Sequence, residues 1–213
     1  EALPETIKLA YLPGMGRVRL RLTATGADEQ QLNRQLDQAV ADLNEVIPEL
    51  IYGYGTEALE EVMGRILKEQ GRMLATAESC TGGYIAHLIT SVPGSSAYFK
   101  GSVIAYANEV KMEQLGVQEE TLKAHGAVSE PTVREMVKGV IKKLGADVGI
   151  ATSGIAGPGG GTADKPVGTI WMAVGDREQV VCEKLKLGKD RIRNIQFTST
   201  QVLNLLRKFL LER

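Results

Sequence analysis

The chain has 213 residues, enough for one large domain or two small ones. Its hydrophobic content of 43% suits a packed core, and its formal net charge of −1 lacks the basic excess of an electrostatic nucleic-acid binder. No apolar run approaches a membrane span and no signal-peptide pattern is present. Two cysteines, two histidines and no CxxC pair argue against a metal site, so none is expected, and a reducing cytoplasm is the compartment that fits.

Residues 1–53 read as a small module. Arg17-Val18-Arg19-Leu20-Arg21-Leu22 alternates polar and apolar, which predicts a strand with one wet face. The turn Pro13-Gly14-Met15-Gly16 before it makes 7–22 a hairpin. Leu32, Leu36, Val40, Leu43 and Ile47 recur at helical spacing, and Pro48 stops that helix. Ile51-Tyr52 is expected to return as a third strand, giving a ββαβ-like α+β lobe. The alternating arginines raise the question of RNA. However, the lobe holds five Lys/Arg against eight Asp/Glu and has no GxxG backbone clamp, so a solvated strand face is the better reading.

From residue 54 onward helices alternate with short apolar strands. Thr56–Gln70 reads as a helix closed by Gly71, Met73–Ala77 as a strand, and Thr81–Thr90 as a helix. Ser102–Tyr106 reads as a strand and Val110–Leu115 as a short helix. A longer helix follows, with Ser129 as N-cap and Pro131 in its first turn. Val148–Ala151 is a strand, residues 169–174 and 180–185 pair around Gly175-Asp176, and Asp190–Leu211 is a closing helix. This predicts a three-layer αβα domain with a mixed sheet over residues 54–213, an α/β fold carrying the small α+β lobe at its N-terminus.

Three segments could carry chemistry. Ala77-Glu78-Ser79-Cys80-Thr81-Gly82-Gly83 lies at a strand-to-helix turn, where an α/β protein can present a nucleophile and where glycines admit a ligand to the backbone. Ser79 or Thr81 could instead simply cap the helix. Thr152-Ser153-Gly154-Ile155-Ala156-Gly157-Pro158-Gly159-Gly160-Gly161 also follows a buried strand and packs five glycines into eight residues from Gly154. It is neither a Walker loop nor a GxGxxG fingerprint; it is either a backbone cradle for a ligand or a flexible loop. Tyr106-Ala107-Asn108-Glu109-Val110-Lys111 places a lysine in the first turn of a helix, opposed to the helix dipole. Burial there would turn Lys111 into a general base; exposure would leave it an ordinary surface lysine. His87 reads as a core histidine and His125 as a loop residue, neither beside an Asp that would make a Ser-His-Asp relay.

These segments, with Pro93-Gly94-Ser95-Ser96 and His125-Gly126-Ala127-Val128-Ser129-Glu130, closely resemble the competence/damage-inducible CinA family, and within it the C-terminal nicotinamide mononucleotide (NMN) deamidase domain. The first lobe resembles the KH-like linker of two-domain members. Those members carry a further nucleotide-pyrophosphatase-like domain, which these residues do not contain. The resemblance implies hydrolysis of the NMN carboxamide to nicotinate mononucleotide and ammonia, with no metal and no cofactor. It implies Ser79 as nucleophile and Lys111 as base, with Tyr106 beside them, and it suggests a homodimer. The implied substrate is a small nucleotide, and neither a membrane nor a nucleic-acid partner is expected. Thr81, Gly82, Gly83, Thr152, Ser153, Gly154, Gly157, Gly159, Gly160 and Arg191 are the residues expected to hold it. Many members open the last helix with Gly-Asp-Arg and a second Arg four residues on; here Arg191 is kept and Ile195 stands at the second position. A non-catalytic nucleotide-binding module is the alternative reading, and Cys80 is a competing nucleophile on the same turn.

Overall fold

A computed structural model describes residues 3–212, which divide into two compact units at Gly55/Thr56. In the first unit β1 (Ile7–Gly14) and β2 (Arg17–Ala24) form an antiparallel hairpin with Leu9 opposite Leu22 and Tyr11 opposite Leu20. Period-two alternation therefore gathers Ile7, Leu9, Leu20 and Leu22 on one face and Lys8, Arg17, Arg19 and Arg21 on the other. Helix α1 (Glu29–Val46) starts at Asp28, whose carboxylate accepts the Gln31 N–H at 3.1 Å, and it packs on β2. The expected third strand does not form. The chain turns through Pro48–Leu50, and Ile51-Tyr52, only two apolar residues before Gly53, joins no ladder. This sheet has two strands, and the lobe is ββα rather than ββαβ.

The second unit is built on a five-stranded mixed sheet in the order β4-β3-β5-β6-β7. Its strands are β3 (Leu74–Glu78), β4 (Phe99–Ile104), β5 (Val148–Gly154), β6 (Thr169–Gly175) and β7 (Val180–Lys186). β3 runs parallel to β4 and β5, while β5–β6 and β6–β7 are antiparallel. β3 and most of β5 are buried without alternation, as expected of central strands covered on both faces.

Helix α6 (Glu130–Leu144) covers one face, with α4 (Asn108–Leu115) and α5 (Glu119–His125) packed on it. Its buried stripe Val133, Met136, Val137, Val140 and Ile141 meets Ala75, Ala77 and Ala151 of the sheet. The approach is close because Gly149 has no side chain: a Cβ there would sit 2.9 Å from Ile141 Cγ1. Helices α2 (Leu59–Glu69), α3 (Tyr84–Thr90) and α7 (Arg191–Leu211) pack together and supply the other layer, with α7 against β6. The N-cap at Ser129 and the first-turn Pro131 are present as expected, with Ser129 Oγ accepting the Thr132 N–H. α5 was not legible: its seven residues bury none of their side chains and carry no apolar stripe, so His125 ends a helix rather than lying in a loop.

β3, β4 and β5 are parallel, so their carboxyl ends reach one edge of the sheet. The chain leaves β3 for α3 on one face and returns to β5 through α6 on the other. That edge is where open α/β sheets carry ligands.

Candidate active site

Ser79 follows the last residue of β3 and is 7% exposed. Its N–H donates to Thr152 O of the neighbouring strand at 3.0 Å, and its own carbonyl accepts the Gly82 N–H, which fixes a tight turn. Neither Ser79 nor Thr81 caps α3. The cap is the carboxylate of Glu78, fully buried, which accepts the N–H groups of Gly83, Ile85 and Ala86 at 2.8–3.1 Å. The hydroxyls of Thr76 and Ser102 also donate to it. The amides of the α3 start are thus occupied by the protein's own anion. Within this turn the N–H groups of Cys80 and Thr81 have no acceptor among the described oxygens. The Thr81 and Thr152 hydroxyls lie 2.8 Å apart and tie the turn to the end of β5.

Lys111 reaches the same point from α4. It is 1% exposed, and its Nζ donates to Ala105 O at 2.8 Å, to Tyr106 O at 3.2 Å and to Ser79 Oγ at 3.1 Å. Among the described residues no carboxylate forms an ion pair with it. Burial therefore pushes the ammonium below its ordinary value, while Cys80 and Glu109 pull weakly the other way. An amine held by two carbonyl acceptors keeps its lone pair for the third direction, toward Ser79 Oγ. The adjacent thiol is unlike a nucleophile: desolvation pushes Cys80 up to about 12.

Ser79, Cys80 and Lys111 line a cavity of about 210 Å³. Ser153, Gly154 and Ala156 close it from the β5 end; Ala127 and Val128 close it from the segment before α6. Tyr106, Asn108 and Arg191 border it as well. Of the expected site residues, Ser79, Lys111, Tyr106, Ser153, Gly154 and Arg191 therefore meet at one cavity. Thr81, Gly82, Gly83, Thr152, Gly157, Gly159 and Gly160 are not on its wall; they shape the turns behind it or the exposed part of the glycine loop. Tyr106 offers its carbonyl, not its hydroxyl, to Lys111. His87 is exposed, its ring tilted against Tyr84, and is not a core residue; its short helix leaves that flank outside the packed layer.

The glycine loop is anchored by the first turn of α7. Asp190 caps that helix through the Arg193 N–H. Asn194, 3% exposed, donates to Ala156 O at 2.9 Å and to Gly188 O at 2.8 Å. Arg191 donates to Gly157 O at 3.0 Å and to the Tyr106 hydroxyl at 2.9 Å. The sequence assigns no role to Asn194, Glu78 or the cavity residues Asn108, Ala127, Val128 and Ala156. Only Glu78, next to the nucleophile candidate and at the end of an apolar strand, carried a usable signal: a charge expected inside must find donors. Among the described residues no three His, Cys, Asp or Glu side chains gather to hold a metal ion, and no helix is long and apolar enough to cross a membrane.

Comparison with known proteins gives the lineage. The family model described as the CinA C-terminal domain matches residues 56–210, and the one described as the damage-inducible protein CinA KH domain matches residues 3–53. A CinA-like protein of Cytophaga hutchinsonii is 50% identical over 211 residues, covering 99% of this chain and 50% of that protein. A CinA-like protein of Amoebophilus asiaticus is 48% identical over 206 residues, 97% of this chain and 50% of its own length. The chain thus spans about half the length of the curated relatives it matches. Among solved structures, a CinA superfamily protein of Klebsiella pneumoniae superposes with TM-score 0.70 at 34% identity, covering 74% of this chain and 100% of its own. The competence/damage inducible protein CihA of Agrobacterium tumefaciens does so with TM-score 0.67 at 36% identity, covering 73% and 98%. With both of its units matched in order, the chain belongs to the CinA family.

Proposed function

We propose that the second unit hydrolyses the carboxamide of nicotinamide mononucleotide, with Ser79 as nucleophile and Lys111 as general base. The observation that carries this reading is the 3.1 Å contact between Lys111 Nζ and Ser79 Oγ, two buried side chains that meet at the cavity wall. A serine hydroxyl attacks only when a base takes its proton, and a desolvated lysine can be that base. Ser79 Oγ adds to the amide carbon while its proton passes to Lys111. The oxygen of the resulting tetrahedral adduct accepts from the N–H groups of Cys80 and Thr81. Lys111 then returns the proton to the departing nitrogen, ammonia leaves, and water cleaves the nicotinoyl ester to release nicotinate mononucleotide and free Ser79.

The phosphate end of the substrate is read by Arg191 and the glycine loop. The cavity wall carries the Arg191 guanidinium and no Asp or Glu, which favours an anionic ligand. The test is to incubate the purified chain with NMN and follow ammonia and nicotinate mononucleotide. Stoichiometric release of both, absent from Ser79→Ala, supports the reading. Binding of NMN without release would make this a nucleotide-binding module instead.

A further inference from the structure

We infer that Tyr106 is a positioning residue for substrate selection: its hydroxyl holds the Arg191 guanidinium at the cavity mouth, and the two together clamp a phosphate ester. This rests on the ligand reading above and adds the group that discriminates phosphorylated from unphosphorylated forms.

Arg191 is held by neutral groups at the cavity edge. Among the described residues no carboxylate pairs with it, although the chain carries 26 Asp and Glu. Its two ties are neutral: Nη1 to Gly157 O and Nη2 to the Tyr106 hydroxyl. A guanidinium has five N–H donors in a planar fork, so three remain unspent and the positive charge is uncompensated. Burying part of such a charge without a counter-ion is costly unless an anion arrives to accept it. The two ties come from different parts of the fold, one from the loop after β5 and the other from the β4–α4 connection, and Tyr106 and Arg191 both border the cavity. They fix the plane of the fork rather than neutralise it.

Tyr106 is 60% exposed and contributes little to the core, so its hydroxyl is not kept for packing. As acceptor from Nη2, the phenol keeps its own O–H free to donate. An oxygen of a phosphate ester that bridges the Arg191 fork and this O–H receives donors from both sides of the mouth. Lys111, by contrast, touches only the carbonyl of Tyr106, so the phenol is not in the proton path of Ser79.

The experiment compares wild type and Tyr106→Phe on NMN and on nicotinamide riboside. Phe keeps the ring and removes both hydrogen bonds. The ratio of specificity constants, NMN over riboside, is expected to fall about tenfold, through KM for NMN rather than kcat, as loss of a charge-assisted contact implies. An unchanged ratio, or a fall confined to kcat on both substrates, overturns the proposal. Calorimetric binding of ribose 5-phosphate against ribose separates this from the amidase reading. Should wild type release no ammonia, the amidase assignment fails, yet a wild-type preference for ribose 5-phosphate that Tyr106→Phe loses still supports the clamp. No preference in wild type, or one that the variant retains, overturns it.

Discussion

Lys111 Nζ and Ser79 Oγ lie 3.1 Å apart although 32 residues separate them. The contact exists because β3 and β4 are parallel neighbours, so the residues just beyond each strand share an edge. Lys111 then turns back from the first turn of α4, and the carbonyls of Ala105 and Tyr106 take two of its protons. The nucleophile assignment follows from this pair. Ser79→Ala should lower ammonia release by on the order of a thousandfold or more, the loss expected when a covalent nucleophile is deleted. Cys80→Ala should stay within a few-fold of wild type, since a thiol pushed up to about 12 supplies almost no thiolate. A silent Cys80→Ala beside an active Ser79→Ala would reverse the assignment.

The proposed base gives a pH signature. Lys111 must be neutral to accept a proton, so kcat should rise with pH through its folded titration, and that inflection should lie below the ordinary value of 10.5. The stability link has the same origin. Between the depressed folded value and the ordinary unfolded one, the unfolded chain holds one proton more, so this residue makes stability increase with pH across that window. Below the window both states are protonated and its contribution is flat. Lys111→Arg should be nearly inactive at every pH, because guanidinium keeps its protons. A rate profile without an inflection below 10.5, or an active arginine variant, counts against the role.

Much of this arrangement was legible in the sequence. The strands around Ala77 and Ile150, the β6–β7 hairpin and the Ser129 cap each rest on short-range patterns, and each formed. The turn at Ser79 was readable as a place for chemistry, but its capping was not. Ser79 and Thr81 are the residue types that normally cap, whereas Glu78 does so from within the strand by folding its buried carboxylate back onto three amides. Asn194 is similar: an asparagine in the first turn of an amphipathic helix reads as solvent-facing, and only the docking of the glycine loop makes it internal. The Ile51-Tyr52 strand failed because two apolar residues state a preference without a partner strand to satisfy it.

Glu78 should therefore matter more to stability than its place beside the proposed nucleophile suggests. Glu78→Ala leaves three α3 amides without an acceptor inside the protein and should cost about 3 kcal/mol or more, the range for breaking a buried charged network. Glu78→Gln keeps the shape but turns one donor toward the amides, and should cost about 2 kcal/mol by the same reasoning. Denaturant unfolding monitored by the Trp171 fluorescence measures both. Losses under about 0.5 kcal/mol, the range of surface substitutions, would mean water replaces the carboxylate without penalty.

The division at Gly55/Thr56 predicts that a chain beginning at Thr56 folds alone. The cavity residues all lie beyond that point, so the fragment should retain ammonia release within a few-fold of the intact chain. An insoluble or inactive fragment would mean that the hairpin lobe completes the site or supports the second unit.

The glycines of the loop after β5 should not be equivalent. Gly157 is buried with φ +94°, and a Cβ there would lie 2.7 Å from Val167 Cγ1 and 2.8 Å from Lys189 O. The second neighbour is backbone at the entry to α7, so it cannot swing aside as a side-chain end could. Its own carbonyl also accepts from Arg191. Gly157→Ala combines a strained left-handed backbone with a clash, each worth about 1–3 kcal/mol, and should move the loop off Arg191. Gly159 is the opposite case: it is exposed, its φ is not left-handed, and nothing lies within 4 Å of its Cβ position. Gly159→Ala should be tolerated, with a slight gain in stability of about 0.5 kcal/mol from a less flexible unfolded chain. The glycine count of the loop would suggest equal sensitivity along its length, whereas the packing against Val167 and Lys189 concentrates it at one end. Melting temperature and KM for NMN on the two variants decide between these. If Gly159→Ala raises KM as much as Gly157→Ala does, the exposed stretch approaches the ligand directly and the loop acts as a cradle along its whole length.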